Sequence, residues 1–499
     1  MSPSRRSVIV AFSAVLLLAA SPQLAAAAPG APSSQPAAHG PAATPSNDDT
    51  AAQPEHVYNR FPLAGISDGV AYLRSPDNTF VLLPNGRVQL DGYFFKNPIE
   101  ASSYKQTFLV KRARLELFGW IGSRFGFSIA GDFAAAIPAA ANPVTASAQS
   151  ATDDYILVAP FTGKWRDALL FQFGQYDAPF TLENRTSDKY FDLVERSNTI
   201  RAFGIPTNKE IGLMAHGLLP NRLVYYSLGV FNGDGQNFKN VDNNVDVMGR
   251  AWIAPFALMK GPLDEITVGG SFWAGDRKDA LALASQSTAA GFKYFDTGKW
   301  TSAIDSKTPL EMHQNGRLRA FAAELDAPIA HKFGVRLEFV YKNQRVAEYD
   351  VTSAASGKLT WMQDARLKGW SLYAQAWAWI LGDDRIVGRP GLQLPGRVEK
   401  LAVQRPRHGL QLIARVERLD EQVISDDATN ASGNPLVGHT KLTSMQLGLT
   451  YWYTKRFRAM FNYDLNAVSG DAAAIQKVFT NLGGKHFEHE FLLRLAVAL

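Results

Sequence analysis

Arginines alternate with apolar residues in the stretch "KRARLELF", residues 111–118. Successive side chains of an extended chain point to opposite faces, so Arg112, Arg114 and Glu116 share one face. By the same spacing Lys111 falls on the apolar face with Leu115, and we expect its ammonium group to reach a membrane interface. Guanidinium groups present a planar fork of donors that fits phosphate and carboxylate oxygens. The stretch therefore predicts a charged face on one strand and leaves two interpretations open for its arginines, anion recognition and structural ion pairs.

The composition limits the chemistry open to the chain. Its 499 residues include no cysteine, which excludes disulfide bonds and thiolate chemistry. The net charge of +5 is modest for this length and gives no argument for a nucleic-acid partner. No motif requires a cofactor or a metal ion, so we expect neither, and we expect no catalytic residues.

The N-terminus predicts export. Residues 1–28 combine Arg5 and Arg6 with an apolar run and small residues, as in a secretory signal peptide. Residues 29–84 are expected to form a disordered Ala/Pro-rich linker and a short N-terminal periplasmic segment. Past the signal peptide no apolar run reaches the length of about 20 residues that a helical membrane span needs.

Period-2 alternation recurs over residues 85–499, the third predicted region. Most of the predicted strands have about ten residues or more, which is the length of a tilted membrane-spanning strand. Short and long connections alternate, except that residues 382–406 form a long connection where a short one is expected. About sixteen strands are predicted, at residues 86–96, 107–119, 124–134, 152–161, 167–177, 207–218, 221–231, 245–257, 263–274, 316–327, 332–343, 367–381, 407–419, 440–453, 456–466 and 486–499.

This pattern predicts an all-β fold, a transmembrane antiparallel β-barrel of about 16 strands with tight turns on one rim and long loops on the other. Side chains would face lipid and lumen by turns, so the polar faces of many strands would converge on an aqueous channel. Aromatic residues near the strand ends fit girdles at the two membrane interfaces. A secreted soluble β-protein acting as a binding module is the alternative that the pattern leaves open.

Seven segments in order along the chain carry a family resemblance. The sequence resembles the phosphate-selective porin O/P family over most of residues 85–499. The resemblance implies a homotrimeric porin whose third long loop, here residues 178–206, folds inward and narrows the channel. The segments are "GRVQLDGYF", "KRARLELFGWIGSRFGFSIAGDFA", "FQFGQYDAPFTLENRTSDKYFDLVERS", "SLGVFNGDG", "GWSLYAQAWAWILGD", "GLQLIARVERLD" and "TYWYTKRFRAMFNYD".

The resemblance also implies which residues meet the passing anion. Arg196 matches the loop arginine of the family, Arg112 the wall arginine of the second strand and Arg87 that of the first. Phosphate-selecting members place a lysine directly after the F-x-L-E stretch, where this chain has Asn184. The full predicted set is Arg87, Arg112, Arg114, Arg185, Lys189, Arg196 and Arg201, with Glu116 and Asp153 as supporting carboxylates.

The leading hypothesis is an outer-membrane porin that passes small anions, such as phosphate, by diffusion through a basic constriction. Its expected partners are small anions, outer-membrane lipid and further copies of the chain. A general porin and a porin selective for organic acids remain alternatives within the same class. An outer-membrane barrel enzyme is the alternative from another class.

Overall fold

A computed structural model describes residues 62–67, 70–96, 106–134, 150–259, 261–278, 282–295, 297, 300–301, 307–352, 359–395, 408–426, 438–471 and 487–498. The predicted signal peptide, residues 1–28, lies outside the described residues, and so does residue range 29–61 of the predicted linker. Both therefore stay predictions.

Sixteen strands form the wall of the molecule. They are β1 (Phe80–Phe95), β2 (Thr107–Ile121), β3 (Phe125–Asp132), β4 (Asp154–Val158), β5 (Leu170–Asp177), β6 (Lys209–Leu218), β7 (Val224–Phe231), β8 (Asp246–Ile253), β9 (Thr267–Arg277), β10 (Pro309–Ile329), β11 (Phe333–Asp350), β12 (Thr360–Leu381), β13 (Gly409–Ser425), β14 (Gly438–Thr454), β15 (Phe457–Asp471) and β16 (Phe487–Ala498).

Each strand pairs antiparallel with its neighbours in the chain, and the last strand closes on the first. Val497 of β16 lies opposite Val88 of β1, and Arg494 lies opposite Asp91. The predicted closed antiparallel barrel is confirmed, with a strand at each of the sixteen predicted positions. β10 to β13 extend further toward the long-loop rim than the sequence pattern indicated.

Shorter elements join the wall. Strands Ala64–Ser67 and Val70–Arg74 form a hairpin that pairs with the start of β1. Strands Ser150–Ala151, Gln286–Ser287, Lys293–Phe295 and Trp300–Thr301 belong to loops, as does helix α1, Asn198–Phe203. Short 3-10 helices occur at Gly163–Ala168, Asp188–Tyr190, Pro206–Asn208 and Asp384–Ile386. Among the described residues, no helix has both the length and the apolar character needed to cross a membrane.

Burial alternates along the strands as the barrel requires. Leu115 and Phe173 point outward and are 60% and 61% exposed, whereas Gln172, next to Phe173, is 5% exposed. An outer face of bare apolar side chains is stable only against lipid, and a polar inner face only against water or polar partners. The wall thus separates an apolar outside from a polar interior.

A β-bulge interrupts this alternation in β2. Gln89 lies opposite Arg112, but the next residue of β1, Leu90, lies opposite Val110, so Lys111 is an extra residue in the ladder. A bulge turns two consecutive side chains toward one face. Lys111 therefore points inward with Arg112, and the prediction that it lies on the lipid side is wrong.

Candidate functional site

The connection between β5 and β6, residues 178–206, supplies one side of the candidate site, and the barrel wall supplies the other. Ser197 caps helix α1 by accepting a hydrogen bond from the amide of Ile200, which fixes the start of the helix. The connection is bonded to strands on several sides of the barrel. Leu182 N donates to Glu338 of β11 at 2.6 Å, Thr181 N donates to Ser271 of β9 at 3.0 Å, and Thr199 N donates to Glu417 of β13 at 3.1 Å.

Two carboxylates of this connection hold the wall arginines. Arg112 of β2 lies 2.8 Å from Asp188 and 2.8 Å from Glu195. Arg87 of β1 lies 2.7 Å from Asp188 and 2.7 Å from Glu116 of β2. Arg87, Arg112, Asp188 and Glu195 are almost fully buried, and Glu116 is partly buried, so each charge depends on its partner for compensation.

Arg114 and Lys189 join the same cluster. Arg114 lies 2.7 Å from Asp132 of β3 and 3.4 Å from Asp188. Lys189 reaches Glu116 at 2.5 Å. The structure therefore brings together four of the seven predicted basic residues through ion pairs, together with one of the two predicted carboxylates, Glu116. Arg196 is tied to the connection that carries Asp188 and Lys189 by its bond to the Thr186 carbonyl.

Three further cations belong to the cluster but were missing from the predicted set. Arg494 of β16 lies 2.7 Å from Asp91 and 2.6 Å from Glu195. Arg458 of β15 donates to the backbone carbonyl of Asp188 at 2.7 Å. The Lys111 ammonium lies 4.0 Å from Glu195 and 5.9 Å from the centre of the Tyr93 ring. Period-2 alternation already placed both arginines on inward faces, whereas the bulge that turns Lys111 inward leaves no signal in the sequence.

Positive charge exceeds negative charge in this cluster. Six cations share five carboxylates among the described residues. Arg196 and Arg458 add two guanidinium groups that bond backbone carbonyls of residues 178–206. Among the ion-paired cations of this cluster, Lys111 has the most exposed side chain, at 25%. The six ion-paired cations are Arg87, Lys111, Arg112, Arg114, Lys189 and Arg494, and the carboxylates are Asp91, Glu116, Asp132, Asp188 and Glu195.

Arg196 bonds the backbone of its own connection, residues 178–206. It donates to the backbone carbonyls of Glu183 at 3.3 Å and Thr186 at 3.2 Å, and its guanidinium lies 4.6 Å from the Phe191 ring centre. A guanidinium that bonds two carbonyls of its own loop fixes the path of the chain. The structure thus gives the residue implied as the loop arginine a positioning role.

The other three predicted residues lie apart from the cluster. Arg185 is 1% exposed and donates to the backbone carbonyl of Asp177. Arg201 donates to the backbone carbonyl of Ser287 at 2.9 Å. Asp153 pairs with Lys209 at 2.7 Å and acts on Arg114 through its charge, without an ion pair to it among the described residues.

Asp188 and Glu195, the two carboxylates of residues 178–206 that hold the wall arginines, should make the stability of the folded protein depend on pH in the acidic range. Burial raises the pKa of Asp188, but Arg87, Arg112 and Arg114 outweigh it and hold that pKa well below its usual range. Burial likewise raises the pKa of Glu195, and Arg112, Lys111 and Arg494 hold it well below the usual range. A depressed pKa stabilises the folded state above the unfolded-state pKa, about 4, and this stabilisation is lost as pH falls through the folded-state pKa.

We therefore expect Asp188 and Glu195 to leave the unfolding temperature unchanged from pH 8 to pH 5 and to lower it below about pH 4. The change in gel mobility on heating measures this temperature. Asp188→Asn should be less stable at pH 7 and should lose less stability on acidification, because it has no proton left to bind at this position. An equal acid-induced drop in the variant and the wild type would contradict the assignment.

The long connection between β12 and β13 contacts the same region from the short-turn rim. Gly391 N donates to Thr186 at 2.9 Å, and Arg250 of β8 donates to the Gly391 carbonyl at 2.6 Å. Gln393 donates to Asp177 at 2.6 Å. This connection breaks the alternation of short and long connections because it packs against residues 178–206; residues 396–407 lie outside the described part.

Gly391→Val should displace this connection. Gly391 has φ 64°, and a Cβ would lie 2.7 Å from the Arg250 guanidinium and 3.2 Å from the Leu182 carbonyl. Gly388 has φ 79° but open space around its Cβ position, so Gly388→Val is a matched control with strain and no clash. We expect Gly391→Val to lower stability by about 1–3 kcal/mol more than the control and to speed proteolysis of residues 385–395. Equal effects of the two variants would show that the packing against Arg250 is unimportant.

A hairpin from the loop between β9 and β10 packs against helix α1. Phe292, Tyr294 and Phe295 are at most 1% exposed and share an apolar cluster with Phe203. Gln286 donates to Glu421 of β13 at 2.8 Å. The helix is thus held between the barrel wall and a second loop.

The stretch "GISDG", residues 65–69, has the spacing of a serine nucleophile motif. That motif works on a sharp strand-to-helix turn. Here Ser67 ends a short strand that pairs with Val70–Arg74. The local structure does not fit the motif.

Closed antiparallel strands around a charged, polar interior define a channel-forming β-barrel. The sequence profile of the family described as phosphate-selective porin O and P matches residues 84–478, so the chain belongs to this family. This confirms the resemblance, and the barrel belongs to the outer membrane. None of the curated proteins matches the sequence.

Solved structures of outer-membrane proteins resemble the barrel at low sequence identity. A loop L8 deletion mutant of OmpT from Vibrio cholerae has 10% identity and a TM-score of 0.46, covering 84% of this chain and 100% of its own. The trimer form of OmpT from Vibrio cholerae has 10% identity and a TM-score of 0.45, with coverage of 84% and 100%. The outer membrane channel DcaP of Acinetobacter baumannii has 10% identity and a TM-score of 0.44, with coverage of 86% and 99%.

Proposed function

We propose that the protein is a porin that passes small solutes by diffusion and prefers anions, phosphate among them. No bond is made or broken in this function, and no cofactor takes part. The observation that carries the proposal is the surplus of cations in the cluster of β1, β2, β3, β15, β16 and residues 178–206. Six cations share five carboxylates there, and Arg196 and Arg458 add two further guanidinium groups. A positive potential in a narrow, low-dielectric passage attracts anions and repels cations.

Residues 178–206 act as the constriction in this proposal. Their support comes from bonds to strands far apart around the wall: Asp192 accepts from Arg336 of β11 at 2.9 Å and from Gln411 of β13 at 2.8 Å. Glu195, three residues on, pairs with Arg112 of β2. A connection tied to several sides of a closed barrel narrows whatever passage remains.

A general porin with little charge preference is the second candidate. The observation that favours it is the neutralisation of each wall arginine. Arg87, Arg112 and Arg114 all hold Asp188, and each has a second carboxylate partner. A passing anion would then compete with carboxylates already in place, which weakens binding but keeps conduction fast.

The reversal potential of the refolded protein in a planar bilayer separates the two candidates. Under a tenfold KCl gradient, we expect the potential to show preference for chloride, and added phosphate to reduce the chloride current. A reversal potential near zero would favour the general porin. Cation preference would overturn the anion proposal and leave the barrel and the family unaffected.

We also propose a homotrimer. Its support is the family resemblance and the trimer form of OmpT from Vibrio cholerae, to which the barrel is similar in topology. Chemical cross-linking of the protein in native membranes should give a trimer band that survives dilution. Monomer alone at all concentrations would contradict the proposal.

A further inference from the structure

The outer surface of the barrel carries a basic band on its long-loop side. The band is formed by outward-facing residues of β10 to β14 that lie beyond a row of exposed aromatic rings. The row consists of Phe321, Tyr341 and Trp370, which are neighbours across β10, β11 and β12. Phe321 is 52% exposed and stacks on Tyr341 at 5.0 Å. Exposed aromatic rows of this kind mark the interface between hydrocarbon and head groups.

Cations follow directly beyond the aromatic row. Arg319 and Lys368 flank Asn343 in the next outward row, two residues along each strand and roughly 7 Å further from the membrane centre. Arg345 and Arg366 lie opposite each other in the row after that. The outward cations of the band are Arg317, Arg319, Arg345, Arg366, Lys368, Arg418 and Lys441.

Carboxylates of the band do not balance these charges. Arg345 and Arg366 share one carboxylate, Asp426, at 3.0 and 3.3 Å. Arg317, Arg319 and Lys368 have no ion-pair partner among the described residues. Arg317 lies opposite Asp276 of β9 but forms no ion pair with it, and Arg319 and Lys368 flank the neutral Asn343. An anion bound between Arg319 and Lys368 would compensate two charges that have no other partner among the described residues.

We propose that this band binds the phosphate groups of a phosphorylated lipid in the outer leaflet. The aromatic row places the cations at head-group depth, and arginine forks match phosphate oxygens two at a time. The apolar side chains below the row then meet the acyl chains of the same lipid. The band lies on the outer wall and is separate from the cluster inside the barrel.

The test is native mass spectrometry of the full-length protein in detergent, titrated with lipid A that carries both phosphates. The variant Arg317→Gln/Arg319→Gln/Lys368→Gln should bind this lipid roughly tenfold or more weakly, since each basic residue near an anionic surface adds to the attraction. The matched control Arg124→Gln/Lys164→Gln/Arg222→Gln removes three exposed cations from the opposite rim and should bind as the wild type does.

Lipid A without phosphates should bind equally weakly to the wild type and to the variant, because the proposed contact requires phosphate groups. Equal binding of the two lipids, or equal binding by the variant and the wild type, would overturn the proposal. A measurement on the wild type alone guards against a variant that misfolds: phosphorylated lipid A should protect Lys368 from amine acylation, and Lys164 should stay reactive. Unprotected Lys368 at saturating lipid would also overturn it.

Discussion

Arg112→Ala should lower both the stability of the barrel and the anion preference proposed for it. Arg112 is 8% exposed and is the shared partner of Asp188 and Glu195. Its removal leaves two buried carboxylates short of a partner, and breaking a buried pair in this way costs about 3–5 kcal/mol. It also removes one positive charge from the cluster. Urea unfolding in detergent and the reversal potential in a KCl gradient measure the two effects.

Arg345, on the outer wall of the barrel, provides a matched control for Arg112→Ala. Arg345 pairs with Asp426 at 3.0 Å, but its side chain is 49% exposed. Exposed pairs contribute roughly 0–1 kcal/mol, so Arg345→Ala should change stability little in detergent and should leave the reversal potential unchanged. A loss below 1 kcal/mol for Arg112→Ala would contradict the assigned role of the pair.

A double-mutant cycle tests the Arg112 contact with Glu195 directly. The double variant Arg112→Ala/Glu195→Ala should be less destabilised than the sum of the single variants, because the second change removes a carboxylate that the first left uncompensated. Additive losses would show that the two side chains act independently.

The sequence predicted the wall of the barrel well because a membrane imposes a strict alternation on it. Every lipid-facing position must be apolar, so a strand such as β16 shows period 2 from Phe487 onward. Strand ends beyond the membrane obey no such rule. β12 therefore begins at Thr360 and not at residue 367, because the residues added at its start lie in the polar region where outward positions can carry charge.

The site was only partly predictable. Arg87, Arg112 and Arg114 follow from alternation and the family resemblance, and the structure brings them together. The positions of Arg185 and Arg201 depend on how residues 178–206 fold, and no periodicity governs an irregular connection. One signal was visible in the sequence: the unexpected length of residues 382–406, which the contacts of Gly391 now explain.

Lys111 illustrates the limit of alternation. A single extra residue in one strand turns every side chain beyond it to the opposite face of the sheet. Phe108 is 79% exposed, on the same outer face as Leu115, although the two are seven residues apart. An odd separation on one face is possible only with the bulge between them.

If the proposed anion preference holds, Lys111, as the most exposed ion-paired cation of the cluster, should contribute to it. Lys111→Cys tests this in a chain without native cysteine. The variant should lose part of the anion preference. A water-soluble thiosulfonate reagent with a quaternary ammonium group should restore it, and one with a sulfonate group should lower it further. A unit charge about 4 Å from an ion changes its energy by about 1 kcal/mol in water, so each step should change the permeability ratio about fivefold.

Leu115→Cys is the matched control, because Leu115 is 60% exposed on the lipid side of the same strand. Neither reagent should react with it or change the reversal potential. If Lys111→Cys also resisted both reagents while the wild type stayed anion-selective, the selectivity would have to come from the buried arginines alone. If the two reagents shifted the potential in opposite directions, the bulge in β2 would be a determinant of selectivity, because it alone turns this lysine inward.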